Sequence, residues 1–152
     1  MTISLRVSID LLRRAPFFEG FAEDQLRLLA FSAETRSMAA AEILCTEGDE
    51  LDAAYVVATA GLEARPAKGG NRRLKAGALI GEMALLVRAQ AHETIVTVEA
   101  GDVVQIRRAT MLRLLEEYPE FAQILRSRLA RRLVGTARQL RGIADRLDQI
   151  EV

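Results

Sequence analysis

Gly81 to Val103 reads GEMALLVRAQAHETIVTVEAGDV, and it joins two kinds of chain. Its first four residues, Gly81, Glu82, Met83 and Ala84, are a glycine, an acid and the start of a short apolar run. Such a run opens a helix, whose first backbone N–H groups and positive dipole end attract an anion. A glycine there lets the anion approach the backbone closely. The stretch therefore begins as a phosphate cradle. From Glu93 to Glu99 the period changes to two: Thr94, Val96 and Val98 face one way, Ile95 and Thr97 the other. Gly101-Asp102 marks a turn. A helix-opening turn is thus set among strands.

The same texture extends on both sides. From Glu34 to Arg108, short alternating or β-branched runs (EILCTEGD, AAYVVATAGLEA, GGNRRLKAG) lie between turns at Gly48-Asp49, Gly61, Gly69-Gly70-Asn71 and Gly77. Many short strands with frequent turns predict a small sandwich or barrel. Before them, residues 3–14 place Leu5, Ile9 and Leu12 at helical spacing, and Pro16 ends that pattern. Phe17 and Phe18 read as core packing between helices. Asp24 to Phe31 predicts a second short helix with Leu26, Leu29 and Ala30 on one side. After Arg108 the helical period returns with Met111, Leu112 and Leu115, capped by Thr110. Pro119 suits the first position of a further helix. That pattern lasts to about Gln149, although Gly135 and Gly142 each weaken it by about 1 kcal/mol relative to alanine. Helices, then strands, then helices make an α+β plan.

A length of 152 residues suits one domain with an appended helix. The formal net charge is zero, so the molecule as a whole exerts no long-range pull on nucleic acid or membranes. Cys45 is the single cysteine, which forbids an internal disulfide and fits a reducing compartment. The N-terminus has no secretory pattern, and no apolar run approaches the ~20 residues of a membrane span. These features predict a cytoplasmic protein without a membrane partner. One histidine and one cysteine, far apart, offer no catalytic dyad, and G-x-S-x-G, P-loop and H-E-x-x-H motifs are lacking. Clustered Cys and His for a metal are lacking too. Glu116-Glu117 reads as a solvated helix face. Neither an enzyme nor a metal site is expected.

Four motifs in order carry a resemblance. APFFEGFAEDQLRLLA, AAEILCTEGDELDAAYVVATAG, LKAGALIGEMALL and the stretch quoted first resemble the cyclic-nucleotide-binding domain, over about residues 10–130. That β-roll is shared by the catabolite activator protein, kinase regulatory subunits and gated channels. The resemblance implies a double-stranded antiparallel β-helix (β-roll or jelly roll) flanked by N-terminal helices and a long C-terminal helix. Residues 1–130 would form the domain and 131–152 continue its last helix. It also implies that Glu82 accepts hydrogen bonds from a ribose 2′-hydroxyl. The family's phosphate-binding arginine, counted forward from Gly81 without a gap, falls on Ala91. A charge-assisted hydrogen bond contributes roughly 1.5–3 kcal/mol, so its loss weakens binding by at least ~10- to 100-fold. Arg88, three positions early, is one candidate substitute. His92, one position late, would point to the other face if a strand has begun. Glu93 would repel a phosphate. Leu51 stands where the family often has glycine, so that turn should differ without necessarily affecting a ligand. The expectation is a cradle without its cation: no cofactor, with cyclic nucleotide the one candidate ligand.

The last helix carries a second signal. Leu133, Leu140 and Leu147 recur every seven residues, Ile143 and Ile150 fall three after the last two, and Leu129 extends the series upstream. This a/d seam predicts pairing with a second copy, as relatives of the family do; the alternative is a helix lying along its own β-roll. Arg126, Arg128, Arg131, Arg132, Arg138, Arg141 and Arg146 read as a solvated face or as a surface for an acidic partner or nucleic acid. Family transcription factors add a helix-turn-helix after this helix, and here the chain stops at Val152, so sequence-specific DNA binding is not expected. The leading expectation is a dimeric, non-catalytic regulatory module without conventional cyclic nucleotide binding, acting through contacts with an unidentified protein partner. The rivals are a genuine cyclic AMP or cyclic GMP sensor using Arg88 or a shifted loop, and a binder of acidic partners or nucleic acid.

Overall fold

The computed structural model describes residues 3–135. Helix α1 spans Leu5–Arg14, with the Ser4 hydroxyl accepting the N–H of Val7 at 3.3 Å. Ser4 thereby satisfies one of the orphan donors of the first turn, and Arg13 and Arg14 suit the negative end. Ser8, Ile9, Leu11 and Leu12 form its buried face. Leu5 has the expected spacing but is 40 % exposed, because it sits in the first turn, before that face begins. Pro16–Phe18 is a 3₁₀ turn. Phe17 and Phe18 are buried as expected, edge to face at 5.1 Å, and Phe21 extends the cluster. Helix α2, Glu23–Ser32, buries Leu26, Leu29 and Ala30 and packs on α1.

Ten strands follow among the described residues: β1 Glu34–Met38, β2 Ile43–Cys45, β3 Glu50–Leu51, β4 Ala53–Val57, β5 Gly61–Arg65, β6 Arg72–Leu74, β7 Leu79–Ile80, β8 Ala89–Gln90, β9 Thr94–Glu99 and β10 Gly101–Arg107. They make two four-stranded antiparallel sheets, ordered β1-β10-β4-β7 and β2-β9-β5-β6, and a two-stranded ribbon, β3-β8. This is the expected β-roll. Ala53, Tyr55 and Val57 of β4 meet Leu62, Ala64, Ile95 and Val103 in one core. Every residue of β4 is buried, and α1 packs against that strand. In β9, Ile95, Val96 and Thr97 are all buried, so the alternation expected there is lost. Pairing slips register on both sides of β9, at Ile43/Cys45 and Gly61/Leu62, and such irregularities re-aim successive side chains.

The chain changes sheets between β4 and β5 and again between β9 and β10, and the two corners interlock. The Asp102 carbonyl accepts the N–H groups of Ala58, Thr59 and Ala60 at 3.3, 3.1 and 3.2 Å, while the Thr59 hydroxyl accepts the Asp102 N–H at 2.8 Å. Gly101 permits this closeness: a Cβ there would lie 2.4 Å from the Ala60 nitrogen.

Helix α3, Arg108–Glu117, buries Met111 and Leu114 and leaves Leu112 exposed. Thr110 lies within its first turn and is not its cap. Strand β10 runs straight into the helix, and the Asp52 carbonyl accepts the Arg108 N–H at 2.8 Å. Glu116 and Glu117 are exposed. A first compact unit ends at Glu117 and a second begins at Tyr118. In the second, α4 spans Pro119–Gly135 with proline at its first position, as expected. The Tyr118 and Phe121 rings meet edge on at 6.0 Å. The boundary expected at 130/131 falls inside α4, which carries Leu129 and Leu133; Leu140, Ile143, Leu147 and Ile150 lie outside the described residues. No helix among the described residues is long and apolar enough to cross a membrane.

Candidate ligand site

Strand β7 ends at Ile80, and Gly81 follows with a φ of +74°, in the left-handed region that glycine adopts without strain. A single 3₁₀ turn, Glu82–Leu85, follows. Ala84 and Leu85 are buried and anchor it, while Met83 is exposed. The Ala84 N–H donates to the Gly81 carbonyl at 2.9 Å. An α-helical start would leave that N–H for a ligand; the tighter turn uses it. The cradle is therefore narrower than the sequence implies.

Beside Gly81 lies a cavity of about 140 Å³. Its walls are largely apolar, with Leu51, Leu74, Ile80, Ala91 and Ile95 among them, and Arg72, Gln90, His92 and Glu93 add polar groups. Ala91 is 6 % exposed. Its N–H donates to Asp49 at 2.8 Å and its carbonyl accepts from Gly48 at 2.9 Å, which fixes its backbone. Ala91 thus faces the same cavity as Gly81. The position counted from the sequence lines this cavity and presents a methyl group to it.

The two candidate substitutes separate. Arg88 does not line the cavity: its side chain is 84 % exposed and its Nε lies 2.8 Å from Glu50 Oε1. The β3-β8 pairing, which sets Glu50 opposite Gln90 and Leu51 opposite Ala89, brings the two close. His92 is exposed and does line the cavity, contrary to the expectation that it turns away. Residues 92 and 93 precede β9, so strand alternation has not begun at Ala91. Glu82, Met83 and Ala84 are beside the cavity in sequence but not among its lining residues.

Three features escaped the sequence reading. Leu51 is buried in the cavity wall, and a Cβ on Gly81 would approach its Cδ1 to 2.9 Å. The expected change of turn is a short strand at Leu51, and the leucine also takes up cavity space. Second, Arg72 of β6 grips Glu93 with both terminal guanidinium nitrogens; Nη1 donates to Oε2 at 2.7 Å and Nη2 to Oε1. That bond holds the Glu93 carboxyl below its usual range against the opposing effect of burial. Third, Arg108 Nη1 donates to the carbonyls of Leu51, Val87 and Ala84 at 3.1, 3.0 and 3.4 Å. It ties the Glu82–Leu85 turn and the β3 region to the start of α3. The available signal was a cation at a helix N-terminus, where the dipole disfavours it. Cys45 also lines the cavity, but burial pushes its thiol up, away from a reactive thiolate. Among the described residues no group of three or more His, Cys, Asp or Glu could hold a metal.

A sequence profile described as "Cyclic nucleotide-binding domain" matches residues 35–118, more than half of the chain. The chain belongs to the cyclic nucleotide-binding domain family. Among solved structures, this domain is similar to a cyclic nucleotide-binding-like protein from Brucella abortus bv. 1 str. 9-941, at 35 % identity and a TM-score of 0.63. That match covers 72 % of this chain and 97 % of the other. The N-terminal domain of a transcriptional regulator from Streptomyces coelicolor A3(2) matches at 27 % identity and a TM-score of 0.75, covering 86 % and 95 %. The regulatory domain of Toxoplasma gondii PKA, solved with cAMP, matches at 26 % identity and a TM-score of 0.61, covering 72 % of this chain and 43 % of that one. No curated protein is a significant match. The cyclic nucleotide-binding fold and its regulatory neighbours agree with the resemblance read from the sequence.

Proposed function

We propose that this cyclic nucleotide-binding domain is a non-catalytic regulatory module that does not take up cyclic nucleotide by the family's phosphate contact and acts through dimerisation and protein–protein contacts. Ala91 carries the reading. It lines the cavity where the resemblance calls for a cation, and the Glu93 carboxylate stands two residues away in the same lining. Arg88, the arginine nearest in sequence, is engaged outside. At about 140 Å³ the cavity also falls below the ≈ 300–1,000 Å³ of ordinary ligand pockets. The Streptomyces and Toxoplasma neighbours are regulatory by description, which supports a regulatory role here. A cytoplasmic setting fits a free, buried cysteine.

Millimolar cyclic AMP should raise the melting temperature by less than about 2 °C. A ligand at 100 times its dissociation constant adds about 2.7 kcal/mol, several degrees for a domain this size. A saturable shift at micromolar cyclic AMP or cyclic GMP contradicts the reading.

The dimer rests on the heptad seam of Leu129, Leu133, Leu140, Ile143, Leu147 and Ile150. Fully burying each such side chain is worth about 1.5–3 kcal/mol, enough in sum to oppose the cost of association. The wild type should sediment as a dimer at micromolar concentration. Leu140→Asp should make it a monomer without unfolding the β-roll, since a seam cannot bury an unpaired charge. A monomeric wild type would refute pairing.

A further inference from the structure

An anion entering the cavity would meet one guanidinium, that of Arg72, and would find it occupied. Arg72 and Glu93 both line the cavity, and their ion pair is a two-pronged one. Glu93 is held in place from behind. Its carbonyl accepts from the Cys45 thiol at 3.7 Å, and the next residue's hydroxyl, Thr94 Oγ1, accepts the Glu47 N–H at 3.0 Å. The Glu93 side chain is 22 % exposed and that of Arg72 57 %, so the carboxylate lies deeper than the cation that holds it.

We propose that Arg72 is a latent anion-binding cation of this cavity and that Glu93 occupies it in place of a ligand's phosphate or carboxylate. The pair excludes anions from a pocket that otherwise fits a small, mostly apolar group. Given the functional reading above, on which this inference rests, the pair is the means by which the site rejects anions. An incoming anion must displace a carboxylate already bound to both terminal guanidinium nitrogens, and then lie beside that carboxylate once freed. Removing the Glu93 charge releases the Arg72 guanidinium at the cavity wall, with its hydrogen bonds open to an anion of suitable size. The size follows from the walls: an apolar cavity of about 150 Å³ accepts benzene, so this one suits a single aromatic ring with its charged group toward Arg72.

Phenyl phosphate is therefore the probe, with phenol as its uncharged control, each titrated by NMR into the full chain. Glu93→Gln should tighten phenyl phosphate by about 10- to 100-fold over wild type, the size of one charge-assisted contact. Phenol affinity should stay within about twofold, because the apolar walls are unchanged. Arg72→Gln added to Glu93→Gln should abolish the gain. Glu93→Ala repeats the test should glutamine remain hydrogen-bonded to Arg72. No gain in either folded variant overturns the proposal, as does a gain that survives Arg72→Gln. Failure of both variants to fold overturns it as well, since the pair would then hold strands together and not guard a cavity. Cyclic AMP titrated into the wild type tests the functional reading separately: that reading fails by binding before any substitution, whereas this proposal also fails by silence after it.

Discussion

Ala91→Arg combined with Glu93→Gln is expected to give measurable cyclic AMP binding in calorimetry, at least about 100-fold tighter than wild type. Each change acts on the same charge. The first places a guanidinium in the cavity that Gly81 borders, since Ala91 faces it on a backbone fixed by Gly48 and Asp49. One charge-assisted contact contributes roughly 1.5–3 kcal/mol, or about 10- to 100-fold. The second removes a carboxylate that would otherwise capture the new arginine and repel the phosphate. Ala91→Arg alone should therefore gain less than the pair. Glu82→Ala in the double-substituted chain should weaken binding again if Glu82 holds the ribose. A folded double variant that ignores cyclic AMP would mean the pocket has lost more than its cation. Leu51, which takes up cavity space beside Gly81, would then be the next obstacle.

Gly101→Val should destabilise the domain by about 3 kcal/mol or more, read as a fall of roughly 10 °C in melting temperature. The new Cβ would meet the Ala60 nitrogen at 2.4 Å and the Thr59 carbonyl carbon at 2.5 Å. Both are backbone atoms, which cannot rotate aside as a side chain would. Moving them breaks the three N–H donations that converge on Asp102. Gly70→Ala is the control: a Cβ there meets nothing within 4 Å and φ is not positive, so stability should hold or rise slightly. Equal melting temperatures for the two variants would refute the steric account.

The fold was largely legible because its signals are local. Pro16, the phenylalanine pair and the short β-branched runs each act over a few residues, and so does Gly81. That Ala91 lies near Gly81 was legible for the same reason, since only nine residues of turn and ribbon separate the two. What stayed hidden depends on pairing. Arg72 meets Glu93 only because β6 and β9 flank β5. Leu51 lines the cavity only because β3 finds β8, and that same ribbon sends Arg88 outward to Glu50. Thr110 looked like a cap because the sequence does not show that Asp52 already receives the N–H of Arg108. Strict alternation in β9 failed for the same kind of reason, since the slips in register, one with its extra residue on β2 and one with it on β9, exist only once the strands pair.

Arg108 has an uneven genetic consequence. All three groups that its Nη1 engages are main-chain carbonyls, those of Leu51, Ala84 and Val87. Every amino acid, proline included, brings a carbonyl. Drift at position 51 can therefore change what lines the cavity, and drift at 84 and 87 what surrounds the turn, without deleting an acceptor, provided the backbone keeps its course. At position 108 the latitude vanishes. Lysine would bring a point charge on a flexible stem in place of a planar fork, and every uncharged residue would release all three carbonyls together. The tie is thus encoded by one codon, while the surface it fastens remains open to variation.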